Sequence, residues 1–420
     1  MKIRRMPVLL LVLMMGLAVI GWMGQVADAL AADDPPFLTI SLPVILHQPP
    51  PPVLLDAWVS DQTGIRTETF QPGETVWYHI SGNNPAFSTV EVRFLWRQAG
   101  DCGEYLVFDQ LLSLQPGDWE FQFKGVVENC LGNYANSVSI SRADDTSIRT
   151  TDFSIVDTSS QVIISQGQGF EKCGLPSVGQ MAIWKQHSPY SVFNIYLGGD
   201  HFACNLLIDA EWVRETAQQG WDFILTWAGH GTFCWEENTK EYHPISSNPI
   251  KARREGRAAA EEAIAAAREL GFLGPRVIYY DVEPYANNDI CRNSMDAFLD
   301  GWAERLHESG DKAGAYGSPC LSYIKDWADN EPALDDIWFA RWKYNDDGEY
   351  DYDENATVDD SDSQYCALPD SVWPGRRIRQ YAGDHSETWG PCNEDDETCT
   401  INSITSNVLE GEITRLLIGE

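Results

Sequence analysis

From Val53 to about Asp157 the chain alternates apolar and polar residues with a period of two. Val90, Val92, Phe94 and Trp96 are interleaved with Glu91, Arg93 and Leu95, the last being the one break. Trp119, Phe121 and Phe123 are interleaved with Glu120, Gln122 and Lys124. That period marks half-buried strands, and Gln71-Pro72-Gly73 and Gln115-Pro116-Gly117 supply turns between them. Short strands at this spacing predict an immunoglobulin-like β-sandwich over 53–157, a spacer or adhesion module with no catalytic signal of its own.

From Gln161 onward the pattern changes to short apolar runs separated by helical stretches. The runs Val162–Ser165, Val192–Leu197, Trp221–Trp227, Arg276–Val282, Lys312–Tyr316, Asp336–Trp342, Arg377–Tyr381 and Thr400–Thr405 read as strands. Asp209 caps a predicted helix that ends at Gly220. Asn248-Pro249 opens an alanine-rich helix through Leu270, Ser294 caps one ending before Gly310, and Ser318-Pro319 starts another. Eight strands with intervening helices predict an α/β fold, a (β/α)8 TIM-like barrel over 162–420. The competing doubly wound sheet lacks its glycine fingerprint. Gly167-Gln168-Gly169 follows a strand, but Phe170-Glu171-Lys172-Cys173 does not open a helix with the required glycine.

Ahead of both regions, Lys2, Arg4 and Arg5 precede an apolar stretch from Val8 to Ile20, and Ala29-Leu30-Ala31 supplies small residues for cleavage. Residues 1–31 therefore read as a secretion signal, with a retained membrane anchor as the alternative. Arg4-Arg5 hints at twin-arginine export, although the residues that follow match that pattern poorly. Residues 32–52 contain Pro35-Pro36 and Pro49 to Pro52 and read as a stiff, extended linker. Within it, Phe37 to Leu46 is apolar enough to need cover.

The formal net charge of −34 disfavours nucleic acid and anionic membranes as partners. Residues 1–31 carry three positive charges and one negative, so their loss would take it to −36. An acidic, solvating surface suits an extracellular or salty setting. Ten cysteines without a C-x-x-C pair favour disulfides over metal or redox chemistry in an exported chain. Cys102 and Cys130, and Cys392 and Cys399, stand as local pairs.

The chemistry concentrates at Asp281-Val282-Glu283, which closes the run Val277-Ile278-Tyr279-Tyr280 and is followed by Pro284. Positions two apart on a strand share a face, so both carboxylates point the same way. Held together they resist double ionisation, and one stays an acid near neutral pH, as glycosidic-bond hydrolysis requires. The competing reading is a loop cap and an arginine ion pair. In a barrel, function collects at the carboxyl ends of the strands. Those ends carry Glu171, Gly198-Gly199, Trp227, the Asp281/Glu283 pair, Tyr316 and Ser318, Arg341-Trp342, Gln380-Tyr381 and Thr405. Acids at one rim with aromatic and amide groups suit a sugar: aromatic faces stack on sugar rings, and polar groups orient hydroxyls. Candidate substrate contacts are Tyr196, Trp227, Tyr316, Trp342, Gln380 and Tyr381.

Five segments in order carry a resemblance: Gly169-Phe170-Glu171-Lys172-Cys173, Ile195-Tyr196-Leu197-Gly198-Gly199 with Cys204, Tyr279-Tyr280-Asp281-Val282-Glu283, Asp336-Ile337-Trp338, and Ile378-Arg379-Gln380-Tyr381. Over about Val162 to Leu417 the chain resembles the bacterial secreted glycoside hydrolase-like domain of unknown function, a barrel similar to the family-25 lysozymes. The resemblance implies an active-site pair at Asp281 and Glu283, an acidic residue at the position of Glu171, and a Cys173–Cys204 disulfide. Two departures stand out. The family's first strand usually ends in Phe-Asp rather than Phe170-Glu171, and aspartates often stand where this chain has Thr405 and Asn407. On this reading Glu283 is the general acid. Asp281 stabilises positive charge or holds a substrate N-acetyl group, and Glu171 orients water or binds hydroxyls.

Asp346 to Asp362 is a dense acidic stretch in which Asp351 and Asp353 are calcium candidates, but the spacing does not match an EF-hand and a solvated insertion is the simpler account. His230 lies near the expected rim, and His385 and Glu387 are expected in a loop after strand seven. No G-x-S-x-G elbow or H-E-x-x-H pair exists, so serine hydrolase and zinc protease readings have no warrant. No cofactor is expected, and the expected partner is a polysaccharide. The alternatives to an exported glycosidase are a catalytically quiet carbohydrate-binding or wall protein and a purely structural surface protein.

Overall fold

Eight strands fold from the period-two region: β1 (Val53–Ser60), β2 (Thr69–Phe70), β3 (Thr75–Asn84), β4 (Val90–Gly100), β5 (Gly103–Leu114), β6 (Gly117–Val126), β7 (Gly132–Arg142) and β8 (Asp145–Ile155). This computed structural model describes residues 50–100, 103–126, 131–142, 145–201, 208–234, 244–320, 322–329, 334–342, 356–359, 368–369, 371–392 and 398–419. The expected signal, most of the linker, the Cys102–Cys130 pair, Cys204, Asp351 and Asp353 lie outside the described residues.

The eight strands form a three-stranded sheet, β1-β3-β6, and a five-stranded sheet, β2-β8-β7-β4-β5. The predicted alternation decides their facing. Val90, Val92, Phe94 and Trp96 are buried, while Glu91 and Arg93 face outward and Leu95 follows them, partly exposed. The inward residues of both sheets make one apolar core. At its centre Tyr78 stacks on Phe123 at 5.0 Å and meets Trp96 edge-on at 4.8 Å.

The chain then forms β9 (Thr158–Ser165), β10 (Gln168–Lys172), α1 (Val178–His187), β11 (Tyr190–Gly198), α2 (Ala210–Gln218), β12 (Asp222–Trp227) and α3 (Pro249–Glu269). It continues through β13 (Val277–Asp281), α4 (Asp289–Glu308), β14 (Lys312–Gly317), a 3-10 helix (Ser322–Asp329), β15 (Asp336–Ala340), β16 (Arg377–Thr388) and β17 (Thr400–Ile418). Strands β10 to β16 are successive parallel neighbours. β17 pairs antiparallel with both β16 and β10 and closes an eight-stranded barrel.

The closed barrel agrees with the sequence reading, but its details depart from a regular (β/α)8 pattern. Strand one is β10, not the Val162–Ser165 run. That run belongs to β9, which pairs with the distal half of β17 outside the ring. Either run is apolar enough to be a strand, and only the long-range pairing separates them. The last strand reaches Ile418 rather than stopping at Thr405. Among the described residues, α-helices follow the first four barrel strands and a 3-10 helix follows the fifth.

Local signals hold where polar side chains meet free backbone N–H groups. Asp209 accepts from Trp212 N at 2.8 Å and Asn248 from Lys251 N at 3.2 Å, as predicted caps should. The unpredicted α1 starts at a capping box of Ser177 and Gln180. Ser294, expected as a cap, lies inside α4, whose cap is Asn288. Its hydroxyl instead donates to the Ser246 carbonyl at 2.8 Å. Where α3 and α4 pack, a Cβ on Gly256 would lie 2.0 Å from the Phe298 carbonyl oxygen, and one on Gly301 1.9 Å from that of Arg253. Only glycine permits this seam.

Two apolar layers support the barrel. Val192, Ile224, Val277, Tyr279, Trp338, Ile378, Leu409 and Ile413 fill its interior. The alternate strand residues, among them Phe193, Leu225, Ile278 and Ile337, pack outward in the larger cluster that includes the helices. The β-sheets join this body through a buried cation. Arg268 of α3, 4 % exposed, donates to Thr67 Oγ1 (3.1 Å), the Thr69 carbonyl (2.9 Å) and Glu74 Oε1 (2.8 Å), with Asp61 3.7 Å away. Removing one partner of a buried ion pair leaves the other charge desolvated. Arg268→Ala should therefore cost about 3 kcal/mol or more in chemical denaturation. Glu74→Gln, which keeps an acceptor for the guanidinium, should cost less.

Candidate active site

The barrel interior changes from apolar to polar toward the carboxyl ends of its strands. β11 runs inward from Val192 to Asn194 to Tyr196, and β16 from Ile378 to Gln380. β13 runs from Val277 through Tyr279 to Asp281. This follows from side chains two apart sharing a face. Strand register then sets neighbours: Asp281 is paired with Tyr316, Tyr316 with Trp338, Gln380 with Asn407, and Glu171 with Thr405.

Glu171 is the hub. It is 5 % exposed, and Tyr196 Oη donates to its Oε2 at 2.8 Å, with Asn194 Nδ2 at 3.4 Å. Gln380 Nε2 donates to its Oε1. Two amide orientations follow from donor-only or well-placed neighbours. Trp342 Nε1 can only donate, and does so to Gln380 Oε1 at 2.7 Å, with Tyr316 Oη donating to the same oxygen at 3.2 Å. Gln380 must therefore turn its NH2 group toward Glu171. Thr226 Oγ1 likewise donates to Asn194 Oδ1 at 2.6 Å and leaves the Asn194 amide for Glu171.

Burial dominates the ionisation of this hub. Desolvation raises the Glu171 carboxyl to about 7, against the opposing donors Tyr196, Gln380, Asn194 and, last, Asn407. The Asp281 carboxyl is pushed well above the ordinary carboxylate range, first by desolvation, then by the Glu283 and Glu171 charges. Among the described residues Asp281 Oδ1 has no hydrogen-bond partner and is closed from solvent, although the side chain as a whole is partly exposed. Burial raises the Tyr316 hydroxyl strongly, and the charges of Asp281, Glu171 and Glu283 add to it. The three predicted acids thus act on one another around Tyr316, and burial and both neighbouring charges favour the protonated form of Asp281.

Six of the named rim residues therefore converge with Asp281: Glu171, Tyr196, Glu283, Tyr316, Trp342 and Gln380. Two do not. Trp227 directs its ring to the outer, helix-facing layer, because its inward neighbour on β12 is Thr226. There it borders a cavity of about 80 Å3 with Asp200, His230, Glu255 and Glu262. His230 lies in that cavity, its Nδ1 2.8 Å from Asp200. Tyr381 is 1 % exposed, packs on Ala356 and Ala382, and donates to Gln168 Oε1 at 3.1 Å. It follows inward Gln380, and the register shift between Gln380 and Ala382 holds it outside the site.

Asn194, Thr226, Trp338 and Asn407 were not singled out as site residues. Asn194 was within reach of the same argument, lying two positions before Tyr196. Asn407 was noted only as a missing acid. It accepts from Trp338 Nε1 at 2.8 Å, a link that depends on β17 running antiparallel.

His385 and Glu387 lie within β16, which extends to Thr388, not in a loop. His385 Nε2 is 2.7 Å from Glu387 Oε1 and 3.3 Å from Ser406 Oγ. One nitrogen faces both groups and Ser406 is fully buried, so no nucleophile–base–acid relay forms. Among the described residues no group of three or more His, Cys, Asp or Glu side chains is arranged to hold a metal.

Cys392–Cys399 forms as expected. Cys234–Cys291 ties the segment after β12 to the first turn of α4, and Cys173 and Cys320 are also disulfide-bonded.

Glu171 carries a pH signature. Its carboxyl changes from an ordinary 4.5 to about 7 on folding, so the folded chain keeps a proton that the unfolded chain releases. Stability from this group is full below about pH 4.5 and lost as pH rises through 7, a difference of roughly 3 kcal/mol. Urea melts across this range should show a steeper decline in wild type than in Glu171→Gln.

The family model described as Rv2525c-like, glycoside hydrolase-like domain matches residues 182–399, a little over half of the chain. No curated protein matches the sequence. Among solved structures, the Mycobacterium tuberculosis Tat-secreted protein Rv2525c is 13 % identical, with 58 % of this chain and 96 % of that one covered and a TM-score of 0.36. A putative β-galactosidase from Bacteroides fragilis is 10 % identical (68 % and 42 %, TM-score 0.36). A Bacteroides uniformis β-glucuronidase is also 10 % identical (70 % and 38 %, TM-score 0.38). This chain therefore spans about two-fifths of the length of those two enzymes. By the family match, the chain belongs to the Rv2525c-like, glycoside hydrolase-like domain family.

Proposed function

We propose that this protein is an exported glycoside hydrolase of the TIM-barrel kind, acting on a cell-wall or other N-acetylated polysaccharide in the manner of the family-25 lysozymes. The observation that carries the reading is the mutual influence of Asp281, Glu283 and Glu171 at the carboxyl ends of the barrel strands, which together with burial favours protonation of Asp281. Export is supported by the N-terminal pattern and the disulfides. The β-sheets ahead of the barrel serve as an immunoglobulin-like spacer or adhesion module.

Cleavage of a glycosidic bond needs a proton for the leaving oxygen and a group that answers positive charge at the anomeric carbon. The Asp281/Glu283 pair holds the proton. In the reactive form the shared proton sits on Glu283, just after β13, which delivers it to the leaving oxygen and leaves Asp281 as the ionised partner. Asp281, with spare hydrogen-bonding capacity at Oδ1, grips the substrate N-acetyl group or stabilises the charge that develops. Glu171 is too enclosed to act on water directly, and serves by repelling ionisation of Asp281 and anchoring the surrounding amides. Tyr196, Tyr316 and Trp342 supply the polar and aromatic sugar contacts.

The second reading, a carbohydrate-binding protein without turnover, draws on Thr405 and Asn407 standing where acids would strengthen the site. Release of reducing ends from peptidoglycan and chitin separates the two. Wild type should turn over one of these polymers, and Glu283→Gln should reduce the rate by about 10²- to 10⁴-fold, the span of general acid catalysis. Asp281→Asn should reduce it too and narrow the pH optimum. Retention of either polymer with equal, zero turnover by all three proteins would favour binding alone.

A further inference from the structure

Gln380 was expected to contact substrate, but its surroundings leave its amide no free end. It is 6 % exposed, its oxygen receives Trp342 Nε1 and Tyr316 Oη, and its nitrogen donates to Glu171. We propose that Gln380 is a positioning residue that couples the seat of the Trp342 indole to the ionisation of Glu171. The sugar-stacking use of Trp342 rests on the glycosidase reading, whereas the coupling itself does not.

The argument begins with what each partner can exchange. An indole N–H only donates, so Trp342 demands an oxygen from Gln380, and a glutamine with its oxygen there must present nitrogen on the other side. An ionised Glu171 accepts from that nitrogen in a charge-assisted bond. A protonated Glu171 is a poorer acceptor on that side, and the amide loses the anchor that holds its oxygen beneath the indole. The coupling runs both ways, since an indole that fixes the amide also stabilises the carboxylate.

The indole has a second attachment that sharpens the geometry. Trp342 lies directly over Gly383 of β16, where a Cβ would sit 2.8 Å from its Cζ2 and Cη2 atoms. The ring is therefore held by a close backbone approach and by its hydrogen bond to Gln380, and that hydrogen bond can respond to charge on Glu171. With its N–H engaged, Trp342 offers a ligand ring surface rather than a donor.

The groups facing Glu171 decide the direction. From β11 come Asn194 and Tyr196, from β17 Thr405 and Asn407, from β13 Asp281 with Glu283 beyond it, from β14 Tyr316, and from β16 Gln380. Among the described residues the charged members are all acidic, and none of them is a cation that compensates the carboxylate. It relies on hydrogen-bond donors, of which Gln380 is the one tied to the indole. The indole is seated most firmly when Glu171 is ionised, above neutral pH.

The full chain tests this without any substrate. Carboxyl carbon NMR of glutamate-labelled protein, with Glu171 assigned by its loss in Glu171→Gln, gives the titration midpoint. Gln380→Met keeps length and removes both polar ends, and Trp342→Phe keeps an aromatic ring and removes the donor. Gln380→Met should raise the midpoint by about one pH unit, the size of one lost charge-assisted hydrogen bond. Trp342→Phe should raise it in the same direction by less. The fluorescence difference between wild type and Trp342→Phe should change with pH at the Glu171 midpoint, and that change should vanish in Gln380→Met. Equal midpoints in wild type and both folded variants, or a fluorescence difference flat across the titration, would overturn the coupling. A protein that shows the coupling yet never cleaves a polymer would sink the hydrolase reading and leave this inference intact.

Discussion

The antiparallel seating of β17 between β16 and β10 is the constraint on which the rest of the molecule depends. Seven parallel strands cannot close on themselves without a partner for each outer edge, and β17 supplies both. Its first half places Thr405 beside Glu171 and Asn407 beside Gln380, so closing the barrel and completing the polar mouth are one act. Its second half pairs with β9, the strand that follows the β-sheets. The Glu412 backbone N–H donates to buried Asp336 at 2.7 Å, extending the same strand's influence to the opposite end of the barrel.

Inside that ring, solvation and hydrogen bonding oppose each other at Glu171. Four side-chain donors favour the carboxylate, yet burial wins and lifts its proton affinity to neutral. The same contest has a different character at Asp281. There one oxygen lacks any partner among the described residues and two other acids add repulsion, so every contribution favours the protonated form. A mouth built this way holds protons without a metal-like centre of positive charge. Arg276 and Asp311 form a bidentate buried pair at 2.9 and 2.7 Å, showing that this chain does neutralise buried acids elsewhere. Among the described residues of the mouth it does not.

Much of this was legible in the residues because it followed from periodicity. The inward placement of Asp281, Tyr316 and Gln380 needed only strand alternation and the carboxyl-end rule. Trp227 and Tyr381 misled for the same reason: each is the last large residue of its run, but the position one earlier carries the inward side chain. Strand one was misplaced because Thr158–Ser165 and Gln168–Lys172 look alike locally, and only pairing with opposite halves of β17 tells them apart. The antiparallel sense of β17 has no local signature at all. Contacts that depend on it, such as Trp338 to Asn407, could not be read from spacing.

The neutral residues on β17 then acquire a physical meaning beyond absent acids. Another carboxylate at position 405 or 407 would face Glu171 or Gln380 in a site where charge is already costly. It would raise Glu171 further and compete for the Gln380 amide. Asn407 instead accepts from Trp338 and offers its amide side toward Glu171, adding a polar group without adding charge. The mouth keeps three acids rather than four, and with three the repulsion concentrates on Asp281, the member that two others oppose. Fewer acids at β17 therefore leave Asp281 and Glu283 as the pair between which a proton is shared.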